Sequence, residues 1–384
     1  MRLPDTDLPS PAPDALAHSA RLAEHLRAAI REAGGMIPFS RYMELVLYAP
    51  GLGYYSAGAR KFGAAGDFIT APELSPLFSR CLARQCREVL AVTSGSILEL
   101  GAGSGVMAAD ILLELQALDA LPEEYLILEV SADLKERQRQ TLAAKATGLA
   151  SRVRWLDELP EHFTGVIVGN EVLDALPVER FLKTHTGHEQ YCVRESGEGF
   201  DWVARPAGEQ LAATLDAFET TLPQPLAAGY VSEICLGAGP LVSSLAGMLT
   251  RGALLLMDYG YPRSAYYHPE RAMGTLMCHY RQRAHADPFL YPGLQDITAH
   301  VDFTAVAEAG VASGLDLAGY TTQAHFLMAL GIASLADSDM KRSQQVKLLT
   351  LPEEMGERFK AIGFSKGVDA PLSGFALRDL SRTL

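Results

Sequence analysis

The sequence has no long apolar run and no excess of basic residues, and these two absences exclude whole classes of protein. Its apolar stretch ALLLM at 253–257 is far shorter than the roughly 20 residues that a membrane-spanning helix needs. Lys and Arg together number 33 against 46 Asp and Glu, which gives a formal net charge of −13. Because nucleic-acid phosphates are bound through Lys and Arg, we expect no nucleic-acid partner. Because the apolar run is short, we expect no insertion into a membrane.

Cysteine is also scarce, with five residues scattered along the chain and no C-x-x-C pair. This usage is typical of a reducing compartment. His185 and His188 have no accompanying cysteine or acidic ligand set, so we expect no metal site. Residues 1–14 are proline-rich and acidic, unlike a secretory signal or an Arg-rich transit peptide. The sequence therefore predicts a cytoplasmic protein.

Glycine, by contrast, is concentrated in the segment ILELGAGSG at 97–105. The segment reads as a short strand, a tight turn with glycines at 101, 103 and 105, and the start of a helix. Such a turn presents backbone N–H groups to a ligand, and glycine lets the ligand approach without a Cβ in the way. We expect the turn to bind a cofactor, although strand–helix turns without any ligand also contain glycine. The turn consists of Gly101, Ala102, Gly103, Ser104 and Gly105.

Two acidic residues narrow the choice of cofactor. Glu99 precedes the turn, where its carboxylate would repel a pyrophosphate and attract an ammonium group. Glu129 ends the next strand-like run, YLILEV, and is placed to accept hydrogen bonds from both hydroxyls of a ribose, with Val130 beside it. A ligand with a ribose and a cationic amino-acid end but no phosphate is S-adenosylmethionine. The alternative for Glu129 is an ordinary strand-end carboxylate that faces solvent.

Strand-like and helix-like segments alternate after the turn, which is typical of a parallel sheet covered by helices on both faces. Strands are predicted at 97–101, 125–130, 152–156 and 165–169, helices at 105–118 and 132–147, and a fifth strand of the sheet in GALLLMDYG at 252–260. Ligands of such sheets bind at the carboxyl ends of the strands. Asp157 would lie there and reach an adenine amino group, unless it is only a loop acid or a helix cap. The tail from residue 333 is predicted to be helical.

The segment GLGYYSAGARKFGAAGDFITAPELSPLF at 51–78 is too long and too apolar to be a simple linker. Ordered glycine-rich loops of this length usually cover a site, so we expect its residues Asp67 and Thr70 to bind the cofactor. The alternative is a surface loop packed by its own aromatic residues. We therefore divide the chain into an N-terminal region, 1–92, with helices and this loop, and a main domain, 93–384, with insertions at 178–230 and 260–302.

The segment GNEVLDALPVERF directly follows the fourth predicted strand, so its polar residues lie on the same rim as the glycine turn. We expect Asn170 to contact the cofactor and Glu171 and Asp174 to be catalytic. Two carboxylates there are unfavourable unless a cation meets them, and the planar fork of a guanidinium pairs well with a carboxylate. Alternatively, Asn170 and Asp174 cap a short helix that Pro177 ends.

Several blocks, in the same order along the chain, resemble the MidA family of S-adenosylmethionine-dependent methyltransferases, which is similar to the mitochondrial arginine methyltransferase that assists assembly of respiratory complex I. These blocks are GYYSAGARKFGAAGDFITAPELSPLF, ILELGAGSG, LEVSADLKERQ, GNEVLDALPVERF, MDYG, GTLMCHYRQRAHADPF and GLQDITAHVDF. The resemblance implies an α/β class I methyltransferase fold, with a seven-stranded Rossmann-like sheet, an N-terminal helical and loop region and an inserted subdomain over the site. It also implies a protein arginine as methyl acceptor, in the large peripheral-arm subunit of complex I.

The resemblance also implies roles for single residues. The glycines at 101, 103 and 105 would hold the methionine moiety, Glu129 the ribose, and the Asn-Glu pair at 170–171 with Asp174 would form the loop after the fourth strand. Members of the family usually have aromatic residues after that pair. Val172 and Leu173 stand there in this chain, which removes a stacking partner for the cofactor or the substrate.

The chemistry expected is an in-line displacement, in which the protein mostly positions two reactants and excludes water. Glu171, and secondarily Asp174, would hold a guanidinium so that one nitrogen is localised and its proton can depart. Three alternatives remain. A dinucleotide-dependent oxidoreductase is disfavoured by Glu99 and by the glycine spacing. A non-catalytic assembly factor would keep only the cofactor pocket. A hydrolase would need a G-x-S-x-G motif, which GAGSGV lacks.

Overall fold

The fold comes from a computed structural model, which describes residues 8–57, 70–197, 199–336, 339–368 and 372–384. The helices are α1 (Pro13–Glu32), α2 (Phe39–Tyr48), α3 (Ala71–Leu74), α4 (Pro76–Thr93), α5 (Val106–Ala117), α6 (Ala132–Lys145), α7 (Glu209–Glu219), α8 (Ala238–Met248), α9 (Arg263–Tyr266), α10 (Phe303–Ala312), α11 (Gln323–Ala329), α12 (Ile332–Leu335) and α13 (Met340–Thr350). The strands are β1 (Ile37–Pro38), β2 (Ser96–Leu100), β3 (Tyr125–Leu128), β4 (Val153–Leu156), β5 (Phe163–Asn170), β6 (Glu179–Lys183), β7 (His188–Ser196), β8 (Gly199–Pro206), β9 (Val231–Ile234), β10 (Leu249–Tyr261), β11 (Met277–Tyr280), β12 (Arg283–His285), β13 (Asp296–Thr298), β14 (Val301–Asp302), β15 (Asp316–Thr322) and β16 (Phe359–Lys366). Among the helices of these ranges, none combines the length and the apolar character needed to cross a bilayer.

Seven strands form the central sheet in the order β15-β16-β10-β5-β2-β3-β4. Neighbouring strands from β10 to β4 are parallel, whereas β16 runs antiparallel to both β10 and β15. The short β14 pairs with the end of β10 beside this path. The predicted α/β fold with a seven-stranded sheet is confirmed, and β10 is its fifth strand in chain order, as the sequence predicts.

Apolar layers cover both faces of the sheet. One layer is built from α4, α5 and α11, and the other from α8 and α10. Strands buried on both faces read as continuous apolar runs rather than as alternating ones, and residues 253–257 of β10 are each at most 2% exposed. The apolar run ALLLM therefore belongs to the centre of the sheet.

A smaller antiparallel sheet lies beside the central one and joins distant parts of the chain. Its strand order is β1-β7-β6-β9, with β8 paired to β7, and a third sheet has the order β12-β11-β13. The pair of β1 with β7 links the N-terminal region to the segment predicted as the first insertion. Helix α4, which the sequence assigns to the N-terminal region, packs on the central sheet. The predicted boundary at residue 92 stays a prediction.

Two local predictions differ from the structure. The tail after residue 333 is not helical throughout, because β16 lies there and inserts between β10 and β15, where its middle residues are buried. No helix lies between β5 and β6 in the described chain, so Asn170 and Asp174 do not cap one. In both places long-range pairing with β10 determines a conformation that local pattern does not reveal.

Gly165 lets β5 lie close to β2 near the amino-terminal ends of the two strands. Its φ is 131°, and a Cβ at this position would lie 1.9 Å from the carbonyl oxygen of Ser96. We expect Gly165→Ala to lower the free energy of unfolding by about 3 kcal/mol or more, since backbone strain and overpacking each cost about 1–3 kcal/mol. Denaturant unfolding followed by circular dichroism measures this. Gly148→Ala, whose Cβ would meet no atom within 4 Å, is the control, and equal stabilities would contradict the expectation.

Candidate active site

A cavity of about 430 Å³ opens at the carboxyl ends of β2, β3 and β5, a size that suits a cofactor together with part of a substrate. Its lining comes from the glycine turn, the strand ends, the loop after β5 and two regions outside the central sheet. The residues are Tyr48, Pro50, Tyr55, Ser56, Thr70, Pro72, Glu73, Glu99, Gly101, Ala102, Gly103, Ser104, Val106, Met107, Leu128, Glu129, Val130, Ser131, Leu134, Asn170, Glu171, Val172, Asp174, Ala175 and Asp296. This is the edge of the sheet at which the sequence predicts a ligand.

The glycine turn adopts a backbone that residues with a Cβ rarely adopt. Gly101, Gly103 and Gly105 have φ values of 59°, 52° and 82°, and Gly105 is the residue that precedes α5. Of the five predicted turn residues, all but Gly105 line the cavity. The turn thus places the N-terminus of a twelve-residue helix, with its unpaired N–H groups, next to the cavity.

Glu99 and Glu129 are both buried on the wall of the cavity. Glu99 accepts a hydrogen bond from the Tyr125 hydroxyl at 2.6 Å, and burial raises the pKa of its carboxyl group to about 7. Glu129 accepts hydrogen bonds from the Ser131 N–H at 2.9 Å and from Gln138 Nε2 at 3.1 Å, while burial raises the pKa of its carboxyl group too. Glu129 is only 7% exposed, so it is not the solvent-facing acid of the alternative interpretation.

The loop after β5 begins with a strained residue. Glu171 has a φ of 53°, which is unusual outside glycine, and its N–H donates to the carbonyl oxygen of Met257 at 2.8 Å. Its carboxylate accepts a hydrogen bond from Asn170 Nδ2 at 2.9 Å. Burial, together with the nearby charge of Asp174, raises the pKa of Glu171 to about 8. Strain of this kind clusters at functional sites, where the surrounding structure holds it in place.

A carboxylate from the neighbouring strand holds the rest of this loop. Asp258 Oδ2 accepts the N–H groups of Leu173 and Asp174 at 2.8 and 3.2 Å, and its Oδ1 accepts the N–H of Tyr259 at 2.9 Å. Burial raises the pKa of Asp174 to about 6. Asp174 Oδ1 is buried and has no hydrogen-bond partner within the described ranges, as is also true of Asn170 Oδ1. Two residues that line the cavity therefore have hydrogen-bond acceptors that are available to a ligand.

One wall of the cavity is formed outside the central sheet, and the sequence predicts only the part of it that lies in the glycine-rich segment, which contains Tyr55. Tyr48 at the end of α2 donates to the carbonyl oxygen of Ala175 at 2.9 Å, and Tyr55 donates to Asp296 Oδ1 at 2.9 Å. The rings of Tyr48 and Tyr55 stack with centroids 5.5 Å apart. A position at the end of a strand could have indicated Asp258, but no local pattern indicates that Tyr48 or Asp296 reaches the cavity.

Besides Gly105, one predicted site residue of the described chain does not line the cavity. Asp157 is not part of its lining, because its carboxylate is 88% exposed and pairs with Lys135. Asp67 lies outside the described residues. Thr70, from the same glycine-rich loop, does line the cavity. The binding and catalytic roles assigned from the sequence stay predictions.

The charge of the cavity is one-sided. Six carboxylates line it, from Glu73, Glu99, Glu129, Glu171, Asp174 and Asp296, and within the described chain no Lys, Arg or His does. These six carboxylates would repel a pyrophosphate, whereas they would attract a sulfonium and an ammonium group. The glycine turn, the buried Glu129 and this charge fit S-adenosylmethionine.

Comparison with known proteins agrees with this chemistry. The profile of a family described as S-adenosyl-L-methionine-dependent methyltransferases matches residues 81–321. The chain belongs to this methyltransferase family. The family excludes the oxidoreductase and hydrolase alternatives, and it makes S-adenosylmethionine the cofactor of this methyltransferase.

Several proteins are similar over most of their length. The protein arginine methyltransferase NDUFAF7, mitochondrial, of Danio rerio is 31% identical, and the alignment covers 88% of this chain and 85% of that protein. The corresponding homolog of Caenorhabditis elegans is 29% identical over 85% of this chain and 82% of its own. A Burkholderia thailandensis protein crystallised with S-adenosyl-homocysteine is 50% identical with a TM-score of 0.94, covering 98% of this chain and 100% of that chain.

These names correct one prediction. The sequence predicts a cytoplasmic protein, but the curated relatives are named as mitochondrial proteins, so that prediction is wrong. The physical reason is that scarce cysteine indicates reducing conditions, which more than one compartment provides. The acidic N-terminus argues only against particular types of leader and does not identify a compartment.

The structure brings together one group of possible metal ligands that sequence spacing does not show. His188 Nδ1 lies 3.2 Å from Asp216 Oδ1, and His188 Nε2 lies 3.5 Å from Glu219 Oε2. The two ring nitrogens thus face different carboxylates, and the Lys183 ammonium pairs with Glu219 at 2.5 Å. None of these residues lines the cavity. Burial lowers the pKa of His188, so the ion pair in this group is the one between Lys183 and Glu219.

Exchange of the buried Glu129 should weaken donor binding, whereas exchange of the exposed Asp157 should not. Loss of charge-assisted hydrogen bonds costs about 1.5–3 kcal/mol, so we expect Glu129→Ala to raise the Kd for S-adenosylmethionine roughly 10- to 100-fold. Isothermal titration calorimetry measures both variants. A larger effect of Asp157→Ala than of Glu129→Ala would reverse the assignment.

Donor affinity should also depend on pH through Glu99. The carboxyl group has a pKa of about 7, and a cationic ligand favours its ionised form. As pH falls below this value, binding must displace a proton, so we expect the Kd for S-adenosylmethionine to rise by up to about tenfold per pH unit. Titrations from pH 5 to pH 8 test this. Glu99→Gln should bind more weakly at pH 8 and show a flatter profile; an identical profile would assign the dependence to another group.

Proposed function

We propose that this methyltransferase transfers methyl groups to the guanidinium nitrogens of arginine side chains in a protein. The observation that carries the proposal is the acid-lined cavity, in which the half-buried Glu171 and the buried Asp174 lie beyond the glycine turn with no basic side chain of the described chain to balance them. A guanidinium keeps its charge at every accessible pH and can pair with two carboxylates. The relatives in animals are named as protein arginine methyltransferases, which supports the same acceptor.

The residues of the loop after β5 would position the acceptor and receive its proton. When bound, S-adenosylmethionine supplies an electrophilic methyl group. Glu171 would hold the guanidinium, whose charge favours the ionised carboxylate, and the raised pKa of this carboxyl group, about 8, makes the carboxylate a stronger base than an exposed glutamate. Asp174, fixed at its N–H by Asp258, would provide the second carboxylate. Withdrawing a proton restores a lone pair to one nitrogen, which a delocalised cation lacks.

We further propose that the acceptor belongs to a subunit of respiratory complex I, as the resemblance to the MidA family implies. The competing interpretation is a non-catalytic assembly factor that binds S-adenosylmethionine without transferring its methyl group. Quantitative mass spectrometry of methylated peptides, from cells with and without this protein, would identify the acceptor. Absence of any difference in methylarginine would favour the assembly factor.

Glu171→Gln separates catalysis from donor binding. The substitution keeps the volume and the hydrogen bond from Asn170 but removes the charge, so we expect transfer to fall by about 100-fold or more, because general-base catalysis contributes roughly 10²–10⁴-fold. Donor affinity should change little. Transfer of labelled methyl groups to extracts of cells that lack the protein, followed by amino-acid analysis for methylarginine, measures the rate.

The matched control is Glu161→Gln, an exposed glutamate of the loop before β5 that does not line the cavity. It should transfer methyl groups at the rate of the unchanged protein. If Glu171→Gln weakens donor binding as much as it slows transfer, Glu171 belongs to the cofactor site instead.

A further inference from the structure

We infer that Asp296, held in place by the Tyr55 hydroxyl, is a substrate-binding residue that determines the preference of this enzyme for a guanidinium. This inference rests on the proposed function, since it concerns the methyl acceptor of the same site. It adds a residue from a different part of the chain to the two acids of the loop after β5.

The position of Asp296 is the first ground for this inference. The residue begins β13, in the small sheet formed by the segment after β10, and yet it lines the same cavity as Glu171 and Asp174. It is 2% exposed, so its carboxylate is withdrawn from solvent. The negative charge of Asp296 also contributes to raising the pKa of Glu171, which indicates that the two carboxylates are close enough to repel each other.

The second ground is an unpartnered acceptor in the same cavity. Asp174 is 5% exposed, and its Oδ1 atom has no hydrogen-bond partner in the part of the chain that the structure describes. A buried carboxylate oxygen in this state is available to a donor from a ligand. The acids at this end of the cavity are therefore a binding site for a cation rather than only an acidic cluster.

The arrangement distinguishes between the two cationic side chains of proteins. A guanidinium has five N–H donors in a rigid plane and can engage carboxylates from two elements at once, whereas an ammonium is a compact point charge. Asp296 comes from β13, and Glu171 and Asp174 come from the loop after β5. Tyr55 fixes the Asp296 carboxylate through its hydrogen bond of 2.9 Å, and Tyr55 in turn stacks on Tyr48. A carboxylate that is fixed on a second element, as Asp296 is, therefore favours a guanidinium over an ammonium group.

The test is a titration of the protein, saturated with S-adenosyl-homocysteine, with acetyl-arginine amide and with acetyl-lysine amide. We expect Asp296→Asn to weaken binding of the arginine probe roughly tenfold, as expected for loss of one charge-assisted pair, and to change binding of the lysine probe much less. Asp296→Glu should restore part of the preference. Asp287→Asn, an exposed acid of the same segment, is the matched control and should bind both probes normally.

Retained affinity for S-adenosyl-homocysteine shows that the variant is folded. Should Asp296→Asn lose this affinity, Tyr55→Phe is the informative variant, because it removes one hydrogen bond from the Asp296 carboxylate and keeps the charge. A loss of about threefold for the arginine probe is then expected. An unchanged preference for arginine over lysine in the informative variant would overturn the inference, as would failure of the unchanged protein to bind the arginine probe.

Failure of the proposed function has a different signature. In that case the unchanged protein would transfer no labelled methyl group to arginine, although the arginine probe still binds and still depends on Asp296. Conversely, normal transfer with a KM that Asp296→Asn does not alter would leave the proposed function standing and remove Asp296 from the acceptor site.

Discussion

The cavity brings together six carboxyl groups, four of them on buried residues, and no basic side chain of the described residues that line it offsets their charge. Burial of an ionised carboxylate is unfavourable unless a cation pairs with it. Burial accordingly raises the pKa values of the carboxyl groups of Glu99, Glu129, Glu171 and Asp174, so their ionised forms are disfavoured in the protein without ligands. A cation in the cavity favours these ionised forms, so the same acids favour cationic ligands.

The geometry of the loop after β5 follows from two parallel neighbours in the sheet. Asn170 lies at the end of β5, and Asp258 lies beside it on β10. The Asp258 carboxylate accepts hydrogen bonds from the N–H groups of residues 173 and 174. This support keeps Glu171 in its positive-φ conformation, which costs roughly 1–3 kcal/mol by itself. The Glu171 carboxylate is thus positioned by hydrogen bonds between its loop and the neighbouring strand β10.

The opposite wall depends on elements outside the central sheet. The N-terminal region and the segment after β5 share one antiparallel sheet through the pair of β1 with β7, and the hydroxyls of Tyr48 and Tyr55 bond to Ala175 and Asp296. Where the MidA family is expected to have aromatic residues after the Asn-Glu pair, this chain has Val172, which also lines the cavity. Aromatic surface is provided instead by the two tyrosines, from a region distant in sequence.

The sequence alone locates the wall of the cavity that the glycine turn and the neighbouring strand ends form. A strand, a glycine turn and a helix that follow one another within about ten residues have little freedom in how they are placed, so Glu99, the turn and the strand-end Glu129 could be identified from spacing. The same argument located Glu171 and Asp174, since they follow a strand directly. Tertiary structure decided the rest. Tyr55 and Asp296 are 241 positions apart in the chain, and β16 becomes a strand only because β10 and β15 accept it between them. Contacts of that separation depend on how whole elements pack, which no local pattern of residues records.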